Sequence, residues 1–147
     1  GVSCAIETAG DAPASKLLPL AKLCDEVLFD LKIMDATQAR DVVKMNLPRV
    51  LENLRLLVSA GVIVIPRLPL IPGFTLSREN MQQALDVLIP LNIRQIHLLP
   101  FHQYGEPKYR LLGKTWSMKE VPAPSSADVA TMREMAERAG FQVTVGG

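Results

Sequence analysis

Val62-Ile63-Val64-Ile65-Pro66-Arg67-Leu68-Pro69-Leu70-Ile71-Pro72-Gly73 is a strand-length apolar run broken by one cation and ended by a Pro-Gly turn. Three other runs share this form, apolar residues closing on polar ones. Val2 to Thr8 closes on Glu7-Thr8, Glu26 to Lys32 on Asp30-Leu31-Lys32, and Ile93 to His102 on Pro100-Phe101-His102. Segments of helical periodicity separate the four runs. Leu17, Leu18, Ala21 and Leu23 stripe Ala14 to Cys24, and Val50, Leu51, Leu54, Leu57 and Val58 stripe Arg49 to Ala60 behind a first-turn Pro48. Met81, Ala84, Leu85, Leu88 and Ile89 stripe the helix that Ser77 opens, and Ser126 to Ala139 followed by Phe141 to Val145 repeats the unit. Strands joined through helices run parallel, so their carboxyl ends share one rim, where α/β folds bind ligands. The reading is an α/β fold of parallel βα repeats, and an incomplete TIM-like barrel is preferred over a flat doubly wound sheet.

At 147 residues the chain makes one domain, or a large piece of one, read as a single unit over 1–147. Sixteen basic residues against fifteen acidic ones give a net charge of +1, so no field of one sign recruits nucleic acid or an anionic membrane. The apolar runs are strand-length and the first residues lack a basic stretch ahead of an apolar one, which makes a cytoplasmic location the expectation. Cys4 and Cys24, in the first strand and at the end of the first helix, are expected to be buried, reduced thiols. Their spacing suits neither a zinc site nor a redox pair of the Cys-x-x-Cys kind. His102 to Ser125 reads as a long irregular stretch holding Tyr104, Tyr109 and Trp116, a length that in compact domains is functional or covers something. The chain opens directly on a strand, and the expectation is an exposed sheet edge there, with Val2–Ile6 pairing only with Val27–Leu31.

The rim groups allow several chemistries. Asp30 and Lys32 alternate onto one face of their strand, so Lys32 can bind a carboxylate or phosphate, serve as a Schiff-base amine, or simply pair with Asp30. Arg67, inside an apolar run, must reach the rim or meet a buried anion. Glu7 and Thr8 offer oxygens to a ribose or a hard cation. His102 suits either a structural or a catalytic place, His97 a satisfied core histidine, and Gly73 a close approach of backbone to ligand. A parallel α/β unit binding a small polar molecule at its rim is as far as these groups lead.

Taken together, Glu7-Thr8-Ala9-Gly10, Asp30-Leu31-Lys32, Pro66 to Gly73 and Leu98-Leu99-Pro100-Phe101-His102, with Gly105-Glu106-Pro107-Lys108-Tyr109 behind them, resemble the second half of the glycyl-radical-enzyme activating enzymes. These are radical S-adenosylmethionine proteins, and the likeness is to the pyruvate formate-lyase-activating enzyme family. The resemblance implies a partial (β/α) barrel holding S-adenosylmethionine and a [4Fe–4S] cluster at its strand ends. It also implies a glycyl radical enzyme as protein substrate and an electron donor such as flavodoxin. Lys32 of Asp30-Leu31-Lys32 would meet the methionyl carboxylate, His102 would lie by the adenosyl moiety, and Arg67 would stand near the cofactor and the incoming glycine loop. Glu7, at a position where relatives usually carry Asp, and Thr8 would approach the methionyl end and a monovalent cation. Val43-Lys44-Met45-Asn46-Leu47 departs from the family's Gly-x-x-Asn turn. Neither the Cys-x3-Cys-x2-Cys cluster loop nor the Gly-Gly-Glu motif occurs, so the expectation is the carboxyl-terminal half, without iron ligands or a catalytic residue of its own, and inactive alone. Two other readings are a non-catalytic small-molecule or peptide-binding barrel module and a Schiff-base lyase using Lys32.

Overall fold

The computed structural model describes residues 1–146. Its elements alternate: β1 (Ala5–Thr8), α1 (Ala14–Ala21), β2 (Glu26–Asp30), α2 (Ala36–Val43), α3 (Leu47–Ser59), β3 (Val64–Leu70), α4 (Arg78–Leu88), β4 (Gln95–Pro100), α5 (Glu106–Leu111), α6 (Ser126–Arg138) and β5 (Gln142–Val145). The five strands form one parallel sheet in the order β1-β2-β3-β4-β5. Each strand is the spatial neighbour of its predecessor, and βα crossovers are right-handed, so every crossover helix falls on the same side. Burial follows this rule. Val27, Phe29, Val64, Leu68, Leu70, Ile96 and Leu98 are buried in one core with Leu17, Leu54, Leu57, Leu85, Leu88 and Met132 from the helices. The alternate positions Glu7, Leu28, Asp30, Ile65, Pro69, His97 and Leu99 lie on the opposite face and keep partial or full exposure.

The strands are shorter than their apolar runs. β1 begins at Ala5, where pairing with Glu26 begins, and Val2 stands 96% exposed outside the sheet. β1 therefore pairs along Ala5–Thr8 with Glu26–Phe29, shifted from the expected Val2–Ile6 with Val27–Leu31. Cys4 lies just ahead of β1 and is exposed, and Cys24 lies beyond the end of α1 and is half-exposed, which corrects the expectation of buried thiols. Parallel pairing brings the starts of β1 and β2 together, and the two sulfurs are 3.7 Å apart. The 102–125 stretch is also more regular than expected, because it contains α5. Trp116 fastens it. Its indole N–H donates to Gln103 at 2.6 Å, its ring meets Tyr109 edge-on at 4.8 Å, and a Cβ on Gly105 would lie 2.9 Å from it.

Local turns follow their sequence signals. Ser77, Asp35, Asn46 and Ser125 each cap a helix by accepting an amide from three residues on. Pro48 lies in the first turn of α3. Lys44, between α2 and α3, takes the left-handed conformation with φ of 55°. That region costs a residue with a Cβ about 1 kcal/mol relative to glycine. Lys44→Gly is therefore expected to raise stability by about 0.5–1 kcal/mol in a urea unfolding titration.

Candidate functional site

Four charged side chains converge on the sheet face that the helices leave uncovered. Arg67 is central in β3, with Asp30 of β2 and His97 of β4 as its register partners. Its side chain is only 11% exposed, so the guanidinium needs anions. It has two. Nε donates to Asp30 at 2.9 Å, while the two terminal nitrogens grip Glu7 of β1 at 2.8 and 2.9 Å, a bidentate fork. The other Asp30 oxygen lies 3.6 Å from Lys32 Nζ, just past the end of β2. Two acids thus balance two bases across three adjacent strands.

The contacts are unequal. Arg67 uses its whole fork, whereas Lys32 has one longer contact and remains about one-third exposed. The hydrogen bond from Arg67, then its charge, hold the Glu7 carboxyl below the ordinary carboxylate range, against a small opposing effect of burial. The Arg67 guanidinium is pushed up, first by the Glu7 hydrogen bond and also by Asp30. Lys32 is thus the cation of this group that is free to exchange its partner for an arriving anion.

The other predicted residues stand differently. The Thr8 hydroxyl accepts the Gly10 amide at 3.0 Å and shapes the turn after β1. Leu31 is buried in the core and offers only backbone, its amide donating to the Arg67 carbonyl at 2.9 Å. His102 lies beyond the end of β4, exposed, with Nδ1 accepting the Tyr104 amide at 3.3 Å and its ring 4.2 Å from that of Tyr104. It shares the rim with the ion group without joining it. His97 is half-buried on the open face beside Arg67 rather than in the core, with Nε2 3.1 Å from the Gln95 amide nitrogen. Gly73 keeps the expected freedom, with φ of 78° and open space where a Cβ would stand.

Two asparagines hold the rim loops, and periodicity alone passes over both. Asn53 of α3, buried, donates to the carbonyls of Gly10 at 2.7 Å and Ala12 at 2.8 Å, fixing the loop after β1. That loop lies so close to Phe29 that a Cβ on Gly10 would sit 2.2 Å from the ring. Asn80 of α4 does the same for the loop after β2, accepting the Met34 amide at 2.8 Å and donating to the Lys32 carbonyl at 3.0 Å. In each case the helix following one strand secures the loop following the strand before it. Asn53 lies within the apolar stripe of α3, between Val50 and Leu57, and a polar residue on a buried face is the sequence signal for such a role.

Among the described residues, no three His, Cys, Asp or Glu side chains gather in a way that could hold a metal ion, and no helix is long and apolar enough to cross a membrane. A shallow groove of about 510 Å³ runs along the free edge of β1, lined by Ile6, Glu7, Thr8, Lys16, Leu17 and Leu20.

No family model matches the chain. Along its whole length it is 98% identical to the pyruvate formate-lyase 2-activating enzyme of Escherichia coli (strain K12), covering 50% of that protein. It is 30% identical over 149 residues to the trans-4-hydroxy-L-proline dehydratase activating enzyme of Clostridioides difficile, covering 49% of it. The chain thus spans about half the length of the curated relatives it matches. Among solved structures, a domain of a pyruvate-formate lyase-activating enzyme from Bacteroides vulgatus ATCC 8482 aligns with a TM-score of 0.80 at 23% identity, over 100% of this chain and 83% of that one. A radical SAM methyltransferase from Sphaerobacter thermophilus aligns with a TM-score of 0.72 at 16% identity, over 96% of this chain and 39% of that one. At such identities the structural matches establish the fold, a parallel α/β sheet of the partial (β/α) barrel type.

Proposed function

Since this chain is kin throughout its length to half of a pyruvate formate-lyase 2-activating enzyme, we propose that it carries one side of an S-adenosylmethionine site in a glycyl-radical-enzyme activase. The observation that supports this reading most directly is the state of Lys32, a side chain about one-third exposed at the rim with a single 3.6 Å contact. A carboxylate arriving there replaces a loose partner with a close one, and a point cation on a flexible stem suits the exchange. Asp30 stays neutralised meanwhile, because Arg67 Nε holds its other oxygen at 2.9 Å.

In this reading Glu7, Thr8, Asp30, Leu31, Lys32, Arg67 and His102 form the cofactor-facing rim. Lys32 takes the methionyl carboxylate and His102, beyond β4, lies by the adenosyl group. Leu31 contributes backbone, and Arg67, Glu7 and Asp30 hold the charge balance on which Lys32 depends. When bound, S-adenosylmethionine beside a reduced [4Fe–4S] cluster supplies hydrogen-atom abstraction from a backbone glycine of the protein substrate. With two cysteines in the chain, the thiolates for such a cluster come from the other half of the whole protein. That half docks along the free edge of β1, where the groove over Ile6 and Leu17 offers apolar surface. The substrate is a pyruvate formate-lyase-type glycyl radical enzyme in the cytoplasm, and reduction comes from a carrier such as flavodoxin.

The test compares the full-length protein with the 147-residue chain after anaerobic reconstitution with iron and sulfide. The full-length protein should acquire a [4Fe–4S] absorption band and, with S-adenosylmethionine and reductant, generate a glycyl radical signal in the target enzyme by electron paramagnetic resonance. The short chain should do neither. A stoichiometric cluster on the short chain, or a cluster-loaded full-length protein that generates no radical, overturns the proposal.

A further inference from the structure

We propose that Asn80 is a positioning residue for Lys32, an inference that rests on the reading of Lys32 as the anion-binding cation. The Asn80 side chain makes three hydrogen bonds, all to backbone. Oδ1 accepts the Met34 amide at 2.8 Å, and Nδ2 donates to the carbonyls of Lys32 at 3.0 Å and Thr75 at 3.2 Å. One donor pair faces two carbonyls and one acceptor faces an amide, so this arrangement satisfies both ends of the amide group and fixes its orientation.

The reach of these bonds matters more than their number. Lys32 and Met34 belong to the loop leaving β2, whereas Thr75 belongs to the loop leaving β3. Thr75 is itself buried, and its hydroxyl accepts the Ile71 amide and donates to the Pro69 carbonyl. Asn80 therefore ties the backbone carrying Lys32 to the end of the strand that carries Arg67. The position of Asn80 is set by α4, whose cap Ser77 accepts the Asn80 amide at 3.0 Å and whose Met81, Ala84 and Leu85 are buried in the core. A rigid helix thus fixes the backbone of a residue whose long side chain must meet a ligand. Freedom lost by the main chain of Lys32 is freedom that ligand binding need not remove. The same device at Asn53, which holds the loop after β1, indicates that stapling rim loops from the next helix is a feature of this half of the barrel.

Asn80→Asp tests this with an almost isosteric change. It keeps the acceptor for Met34 but turns a carboxylate oxygen toward the carbonyls of Lys32 and Thr75, releasing the tether. Full-length parent, Lys32→Ala, Asn80→Asp and the double variant are titrated with S-adenosylmethionine by calorimetry, with cluster content and thermal midpoint measured alongside. Lys32→Ala and Asn80→Asp should each weaken binding, the latter about tenfold, and the double variant should bind no more weakly than Lys32→Ala alone. A merely structural role for Asn80 gives additive losses in affinity and overturns the inference, as does unchanged affinity in Asn80→Asp. Unchanged affinity in Lys32→Ala instead removes the premise, identifying the failed reading as that of Lys32. Should Asn80→Asp not fold, Asn80→Ala passes through the same cycle without placing a charge against the carbonyls.

Discussion

Lys32→Ala in the full-length protein is expected to weaken S-adenosylmethionine binding on the order of tenfold to a hundredfold while leaving the cluster content unchanged. A hydrogen bond between an ammonium and a carboxylate contributes about 1.5–3 kcal/mol, which is that range of affinity. The substitution also leaves Asp30 without its 3.6 Å partner, but Arg67 still holds the opposite oxygen, so the rim keeps its shape. Lys32→Arg should recover only part of the loss, because a planar fork cannot place a point charge at the end of the same stem. Calorimetric titration at fixed ionic strength reads both variants. An affinity equal to that of the parent in Lys32→Ala would falsify the placement of Lys32 in the site.

Arg67→Ala should be the most destabilising single change on the open face, by about 2–3 kcal/mol. Removing one partner of a buried ion pair commonly costs about 3–5 kcal/mol, because the abandoned charge stays out of water. Here the abandoned acids are better placed. Glu7 is 64% exposed and rehydrates, and Asp30 retains Lys32, so the loss falls below that range. The effect depends on pH in a definite direction. Arg67 depresses the Glu7 carboxyl in the folded state, so its stabilisation is complete above the ordinary carboxylate value and disappears as pH falls through the depressed one. The gap between parent and Arg67→Ala should therefore be widest near neutrality and narrow on acidification. Urea unfolding of the full-length protein at a series of pH values measures it. A gap constant from neutral to acid pH would show that the Glu7–Arg67 pair is not what stabilises this face.

Much of this architecture is legible in the residues, for physical reasons that also explain the misses. Apolar runs separated by helical stripes are compatible with few arrangements, and sequential parallel strands with same-side helices are one of them. The lone cation in Val62 to Gly73 announces an anion partner, since a buried charge without one is too costly, and Glu7 and Asp30 supply it. That Arg67 would take both acids and leave Lys32 loosely held is a matter of side-chain reach, which no periodicity encodes. Strand ends are set by the neighbouring strand, so Val2 to Cys4 has strand-like composition and yet lies outside the sheet. Helix α5 has no apolar stripe to reveal it, and Trp116 secures its segment from outside. The approach of Cys4 and Cys24 follows from parallel register, because residues ahead of consecutive strands are neighbours however far apart they are in sequence.

The ion group spanning β1, β2 and β3 also bears on how the sheet assembles. Slide β2 by one residue against β3, and Asp30 turns to the helix side, where Arg67 cannot follow. Slide it by two, and Arg67 faces Leu28 or Lys32 instead of Asp30, so its Nε contact with that acid is lost and, in one of the two directions, two cations stand side by side. Hydrophobic burial tolerates a two-residue slip, because it returns every apolar side chain to the correct face, but the charges do not. Arg67 is thus a proofreader of strand alignment, rejecting near-native pairings that the core alone would accept.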